Sequence, residues 1–247
     1  MARAKFTVRA FTDVGLRRKR NEDALLVSGW LCQTHEGSVV TMEFRPSPPF
    51  VCAVADGMGG HAGGDLASRL ALTVLAMQSP AWQSANDVYE TLLDVNDQVR
   101  AMGIQNDMQG LGTTIGGLCA VADNLIFFNV GDSRVYSRSA GALDQMSNDH
   151  SIFGFDGRPT NVITQSLGQP NVVNPQIVVV GLMPGTYLMC SDGVSGLMTD
   201  AELSEAMQLD DLDEAATRII ENTRANGAHD NFSFLIVEVA MLEEQVA

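Results

Sequence analysis

Short apolar runs separated by polar, glycine-bearing breaks occupy most of the chain. They fall at residues 24–31, 39–44, 50–55, 113–121, 125–130, 177–180, 187–190 and 232–239. Their length, their β-branched and aromatic content, and the Gly, Asn, Asp or Pro at their borders predict strands. Several lie close enough in sequence to form antiparallel hairpins.

Two longer stretches carry helical spacing instead. Leu66, Leu70, Val74 and Met77 lie on one stripe, and Leu92, Val95, Val99 and Met102 on another with Asn86 as N-cap, which predicts an αα-hairpin. Further on, Thr199 and Glu202 fit a capping box. Leu212, Ala215, Ala216, Ile219, Ile220 and Thr223 then recur at helical spacing, with Gly227 as the stop. Strands, helices, strands, helices and a last strand spell an α+β fold in which helices cover sheets, rather than a βαβ alternation. Residues 147–171 are polar and rich in Gly, Asn and Asp, which reads as a surface loop or flap suited to substrate selection. With no internal repeat, linker or low-complexity stretch, one domain over 1–247 is expected.

Charge narrows the function. Thirty Asp and Glu against 15 Lys and Arg leave a formal net charge of -15, which repels nucleic acid and anionic membranes. Neither is an expected partner. The only lysines are Lys5 and Lys19, and neither follows a glycine as a Walker A lysine must, so P-loop nucleotide hydrolysis is excluded. Cys32, Cys52, Cys119 and Cys190 are spaced neither as a metal pair nor as a disulfide framework, and read as reduced thiols. No cysteine has an arginine six positions on, which sets aside the thiolate-based phosphatases. No run of 18 apolar residues and no apolar leader occurs, so a soluble cytoplasmic protein is expected.

The chemistry concentrates in aspartates at the ends of predicted buried strands. Asp56, Asp132 and Asp192 follow such runs, and Asp230 precedes one. Strand ends of one sheet lie side by side, so these acids can converge, and carboxylates held that close require positive charge between them. Oxygen ligands without clustered His or Cys suit Mg²⁺ or Mn²⁺. Gly57 and Gly193 directly follow their aspartates, leaving a backbone carbonyl free to approach an ion. Any single Asp-Gly is better read as a turn, as Asp156-Gly157 is; the set is not. Arg17-Arg18-Lys19-Arg20 stands just before Asn21-Glu22-Asp23, where guanidinium can grip phosphate while acids hold metal. A solvated basic patch is the alternative.

Six segments together carry a resemblance: Gly15-Leu16-Arg17-Arg18-Lys19-Arg20-Asn21-Glu22-Asp23, Asp56-Gly57-Met58-Gly59-Gly60-His61, Leu111-Gly112-Thr113-Thr114, Gly131-Asp132-Ser133-Arg134, Ser191-Asp192-Gly193 and Asp230-Asn231. In order, they resemble the motifs of the PPM (type 2C) family of metal-dependent protein serine/threonine phosphatases, bacterial branch. The resemblance implies a central antiparallel β-sandwich flanked on both faces by antiparallel helix pairs, with two Mn²⁺ or Mg²⁺ ions at one end. It implies that Asp56 bridges the ions, that the Gly57 carbonyl binds one, that Asp192 and Asp230 bind the other, and that Asp23 acts through bound water. Arg18 would grip the phosphate; Arg17 and Arg20 would not. Asp132 with Asp192 matches a third, weaker metal position.

The resemblance further implies that two such cations would acidify a water for in-line attack on phosphorus, with Arg18 helping to neutralise the phosphoryl oxygens. The leaving alkoxide wants a proton, for which His61 is a candidate general acid; a structural role at the start of the Leu66 helix is the alternative. His35, His150 and His229 read as loop or hydrogen-bonding residues. Two departures bear on docking: the flap between His150-Ser151 and Asn161-Val162-Ile163-Thr164 is shorter than in bacterial relatives, and Gln165 stands where an arginine often follows the threonine. The implied activity is hydrolysis of phosphoserine and phosphothreonine on phosphorylated proteins by a monomer that opposes a cognate serine/threonine kinase.

Overall fold

A computed structural model describes residues 4–34, 37–45, 49–59, 63–108, 110–154 and 159–242. Its first half contains β1 (Ala4–Asp13), β2 (Asp23–Val27), β3 (Trp30–Cys32), β4 (Val40–Phe44), β5 (Phe50–Met58), α1 (Gly64–Gln78) and α2 (Ala85–Gln105). Next come β6 (Gly112–Thr113), β7 (Ile115–Val121), β8 (Asn124–Val130), β9 (Arg134–Ser139), β10 (Ala142–Gln145), β11 (Ser151–Phe153) and β12 (Pro159–Ile163). The chain continues through β13 (Gln176–Gly181), β14 (Gly185–Cys190), α3 (Asp192–Ser195), α4 (Asp200–Met207), α5 (Leu212–Ala225) and β15 (Phe232–Met241).

Two antiparallel sheets stack face to face. One runs β10-β9-β14-β15-β1-β4 and the other β13-β8-β7-β5-β2-β3, with β6 paired to β5. Between them lies a core that includes Phe6, Val8, Leu25, Val54, Leu118, Leu235 and Val237, where Phe6 stacks on Phe50 at 4.1 Å between ring centroids. Helices α1 and α2 cover the second sheet, burying Leu72, Leu75, Leu92 and Val95 against Ala53, Ile115 and Phe128. The outer face of the first sheet is covered by α3, α4 and α5, with Val194, Leu203 and Ile219 against Phe11, Leu188 and Ile236. The outcome is the four-layered α+β sandwich that was expected. Central strands β2 and β7 are buried at every position because both of their faces are covered, which is why they read as unbroken apolar runs. Edge strand β4 instead alternates between half-buried and exposed positions.

Several expectations need correction. The run 24–31 is not one strand: Ser28 and Gly29 take φ of 45° and 93°, a reversal that folds β3 back onto β2. Strands β1, β9, β10, β11 and β12 were not expected, since each mixes polar residues into its length. β1 is nonetheless an interior strand between β15 and β4, burying Phe6, Thr7, Val8, Ala10 and Phe11, with only Lys5 and Arg9 breaking that series. On α1 the buried face is only partly the Leu66–Met77 stripe: Val74 is buried and Leu70 packs against the core. Leu66 and Met77 are exposed, whereas Gly64, Ala67, Ser68, Ala71, Leu72 and Leu75 pack inward. Small residues let that helix approach the sheet closely but contribute little apolar signal. The N-cap of α2 is Ser84, not Asn86; the Asp87 carboxylate accepts from the Ser84 N–H at 2.9 Å. The Thr199 capping box at α4 is present, with Glu202 N–H donating to Thr199 Oγ1 at 3.2 Å. Within 147–171 the described residues form the hairpin β11–β12, and Leu167 is fully buried through a bridge to Thr113.

Candidate functional site

Asp23 opens β2 and Asp56 lies in β5, and the antiparallel register sets the two directly opposite each other. Asp132 follows β8. Asp192 begins α3 just after β14, with Ser191 as N-cap, and Asp230 lies two residues before β15. The acids therefore arrive from both sheets, not from neighbouring strands of one. The sandwich itself joins them, since β15 packs across β2 and β5.

Backbone packing at the site depends on glycine. A Cβ on Gly57 would stand 1.9 Å from the Gly64 carbonyl oxygen, and one on Gly193 would stand 1.8 Å from that of Asn231. Only glycine lets these chains pass so close. The Gly57 N–H donates to the Glu22 carbonyl at 3.1 Å, drawing the start of β2 to the end of β5.

The carboxylates sense one another. Burial, then the charges of Asp23 and Asp192, push Asp56 well above the carboxylate range, and Asp56 and Asp192 share a side-chain hydrogen bond. Asp23 is fully buried and also pushed up by desolvation, with the Ser191 and Ser233 hydroxyls acting in the opposite direction. Burial and then Asp192 raise Asp132 to about 7. Ser191 Oγ donates to Asp23 Oδ2 at 2.8 Å, but Asp23 Oδ1 is buried with no hydrogen-bond partner. Arg18 stands at the rim, more than half exposed, and donates to Asp230 Oδ2 at 2.7 Å. Arg17 and Arg20 are exposed.

Every expected ligand among the described residues reaches this end of the sandwich. His61, the expected general acid, lies outside the described residues, as do His35 and Asp156-Gly157. Among the described residues no three His, Cys, Asp or Glu side chains form a ready-made cage around one ion. The donor set still fits hard divalent cations: crowded carboxylate oxygens desolvated by burial, an orphaned Asp23 oxygen and one rim guanidinium leave negative charge that a cation would offset.

In the sequence Asn231 stands out only by its place in a motif. Its Oδ1 accepts from the Glu22 N–H at 2.8 Å, and its Nδ2 donates to the Val14 and Arg20 carbonyls, each at 2.9 Å. This side chain staples the loop bearing Arg18 to the start of β15. Glu22, expected only as one of the acids beside the basic tract, has its carboxyl raised by burial and then by Asp65. Position beside Asp23 was the available signal. His150 is a hydrogen-bonding residue as expected, its Nδ1 accepting from the Gly131 N–H at 3.1 Å. Cys52, Cys119 and Cys190 are buried free thiols, and Cys32 is half-buried.

From Asp132 and Asp192 a cleft of about 460 Å³ extends between the β11–β12 hairpin and the start of α4. Arg134 crosses it and clasps Asp149, with Nη2 to Oδ2 at 2.7 Å and Nε to both oxygens at 3.0 and 3.1 Å. No helix of the described residues is long and apolar enough to cross a membrane.

Comparison with known proteins agrees with this geometry. The family model for protein phosphatase 2C matches residues 45–233. The serine/threonine phosphatase stp of Listeria innocua is 28% identical, the match covering 94% of this chain and 96% of that protein. The solved serine/threonine phosphatase of S. agalactiae superposes with a TM-score of 0.77 at 26% identity, over 94% of this chain and 98% of that one. The catalytic domain of the serine/threonine phosphatase PstP, solved with two manganese ions, gives 0.77 at 27% identity, over 96% and 99% of the two chains. A family match over well more than half of the chain, on a fold shared almost end to end, means that this chain belongs to the protein phosphatase 2C family and is a protein phosphatase.

Proposed function

We propose that this chain hydrolyses phosphoserine and phosphothreonine on proteins, with Mn²⁺ or Mg²⁺, in opposition to a serine/threonine kinase. The observation that carries the reading is the meeting of five aspartates from two sheets beside one rim guanidinium. Asp56, the Gly57 carbonyl, Asp192 and Asp230 would hold two ions, Asp23 would act through water, and Asp132 with Asp192 would hold a third. When bound, such ions acidify water and offset charge on phosphoryl oxygens.

The chain's own residues supply the rest. Arg18 orients the phosphoryl group with its planar fork of donors. Asn231 holds the Arg18 loop in register with Asp230, and Ser191 fixes the plane of the Asp23 carboxylate. His61 is our candidate donor of a proton to the departing alkoxide. We further take the chain to be one phosphatase domain over 1–247, working as a cytoplasmic monomer.

The test is release of phosphate from a phosphothreonine peptide. Turnover is expected with millimolar Mn²⁺ and not with EDTA; a folded protein inactive in Mn²⁺, or equally active in EDTA, rules the proposal out.

A further inference from the structure

The cleft beside the aspartates is built for more than the phosphoryl group. Asp132, Arg134, Asp149, Ser151, Asp192 and Asp200 line it, four carboxylates against one guanidinium. Arg134 spends its charge on Asp149, and Asp132 and Asp192 belong to the proposed ion site. Asp200 is the outermost of the four: its side chain is 81% exposed at the mouth of the cleft, and its ion pair with Arg134 is long, 3.6 Å from Nη1. Ser151 is 8% exposed, and its Oγ is buried without a hydrogen-bond partner. A buried hydroxyl is costly to leave unpaired, so this one points to a group that arrives from outside. A molecule with a net charge of -15 also draws positively charged partners over long range.

We propose that this cleft receives the substrate chain beside its phosphorylated residue and selects a lysine or arginine there, with Asp200 as the recognising carboxylate and Ser151 as a polar contact. The inference rests on the phosphatase reading above and names its substrate class: phosphoproteins with a basic residue flanking the phosphosite. Asp200 is the first residue of α4 and Ser151 the first of β11, so both sit on regular elements and hold the recognition geometry.

Two phosphothreonine peptides that differ only in flanking arginines or glutamates test it with Mn²⁺ present. The arginine peptide is expected to show a kcat/KM about tenfold higher in low salt, narrowing as salt rises. Asp200→Lys should collapse or invert that ratio. Ser151→Ala should raise the peptide KM a few-fold without lowering the thermal midpoint, since the hydroxyl it removes is unpaired in the free protein. A wild-type ratio near one, or a ratio untouched by Asp200→Lys, overturns the selection of basic flanks. An unaltered KM in Ser151→Ala removes Ser151 from the contact. If the protein hydrolyses p-nitrophenyl phosphate yet treats the two peptides alike, this inference alone fails. If it hydrolyses nothing, the phosphatase reading fails with it.

Discussion

Replacing Gly57 or Gly193 by alanine forces a methyl group into backbone that already touches, so each variant should lose about 2 kcal/mol or more of stability in denaturant titration. Asp192 and Arg18 should separate by kinetics instead. Asp192→Asn keeps the size of the side chain but removes charge from the centre of the cluster, and kcat is expected to fall on the order of a thousandfold. An Asp192→Asn enzyme with full activity would show that the ion assignment is wrong. Arg18→Ala should raise the KM for a phosphothreonine peptide about tenfold, with a smaller change in kcat, because a charged donor to the phosphoryl oxygens is lost. Gly57, Asp192 and Arg18 were legible as residues, since each stands inside a compact motif. Asn231 and Glu22 were less so, because their work consists of contacts to segments far off in sequence.

On α1 the packed face shares Val74 with the stripe expected from spacing but excludes Leu66 and Met77, and substitution can tell the faces apart. Leu72→Ala should cost about 2–5 kcal/mol, since that side chain is fully buried against the second sheet. Leu66→Ala should change stability by no more than about 0.5 kcal/mol, because Leu66 is 44% exposed. Thermal or denaturant midpoints of the two variants decide between the faces. The same logic explains why β1 and β9 escaped notice. Periodicity registers large apolar side chains, whereas a strand such as β9 (Arg134–Ser139) carries two arginines and two serines and is held in its sheet by pairing with β14 and β10.

For the whole molecule, the buried acids predict how stability varies with pH. Asp132 is raised to about 7 from an unfolded value of 3.8, so the folded state binds its proton more tightly. Its contribution is full below about pH 4 and is lost as pH rises through about 7. Asp23 and Asp56 shift in the same direction. Asp87 and Glu202 are shifted downward by hydrogen bonds, so their contribution is lost only at lower pH. Metal-free protein should therefore be more stable near about pH 5 than near about pH 8, by on the order of a few kcal/mol, and melt at a correspondingly higher temperature. Mn²⁺ should reverse that order, because ions compete with those protons and bind better as pH rises. Melting curves in EDTA and in Mn²⁺ at the two pH values check both halves, and a metal-free midpoint that climbs toward alkaline pH would contradict the placement of buried acids.

Local sequence determined the elements whose signal is local: the central strands with unbroken apolar runs, the Thr199 cap, the α5 face, and the aspartates, glycines and basic tract in their motifs. Strand order, the interior place of β1 and the packed face of α1 were decided only by tertiary structure. So was the meeting of Asp23, Asp56 and Asp132 with Asp192 and Asp230 across two different sheets. Apolar periodicity and capping are set by neighbours a few residues apart, so a linear reading can see them. Convergence of charges from opposite layers depends on how two sheets stack, and the energies that set the stacking come from contacts spread over the whole chain.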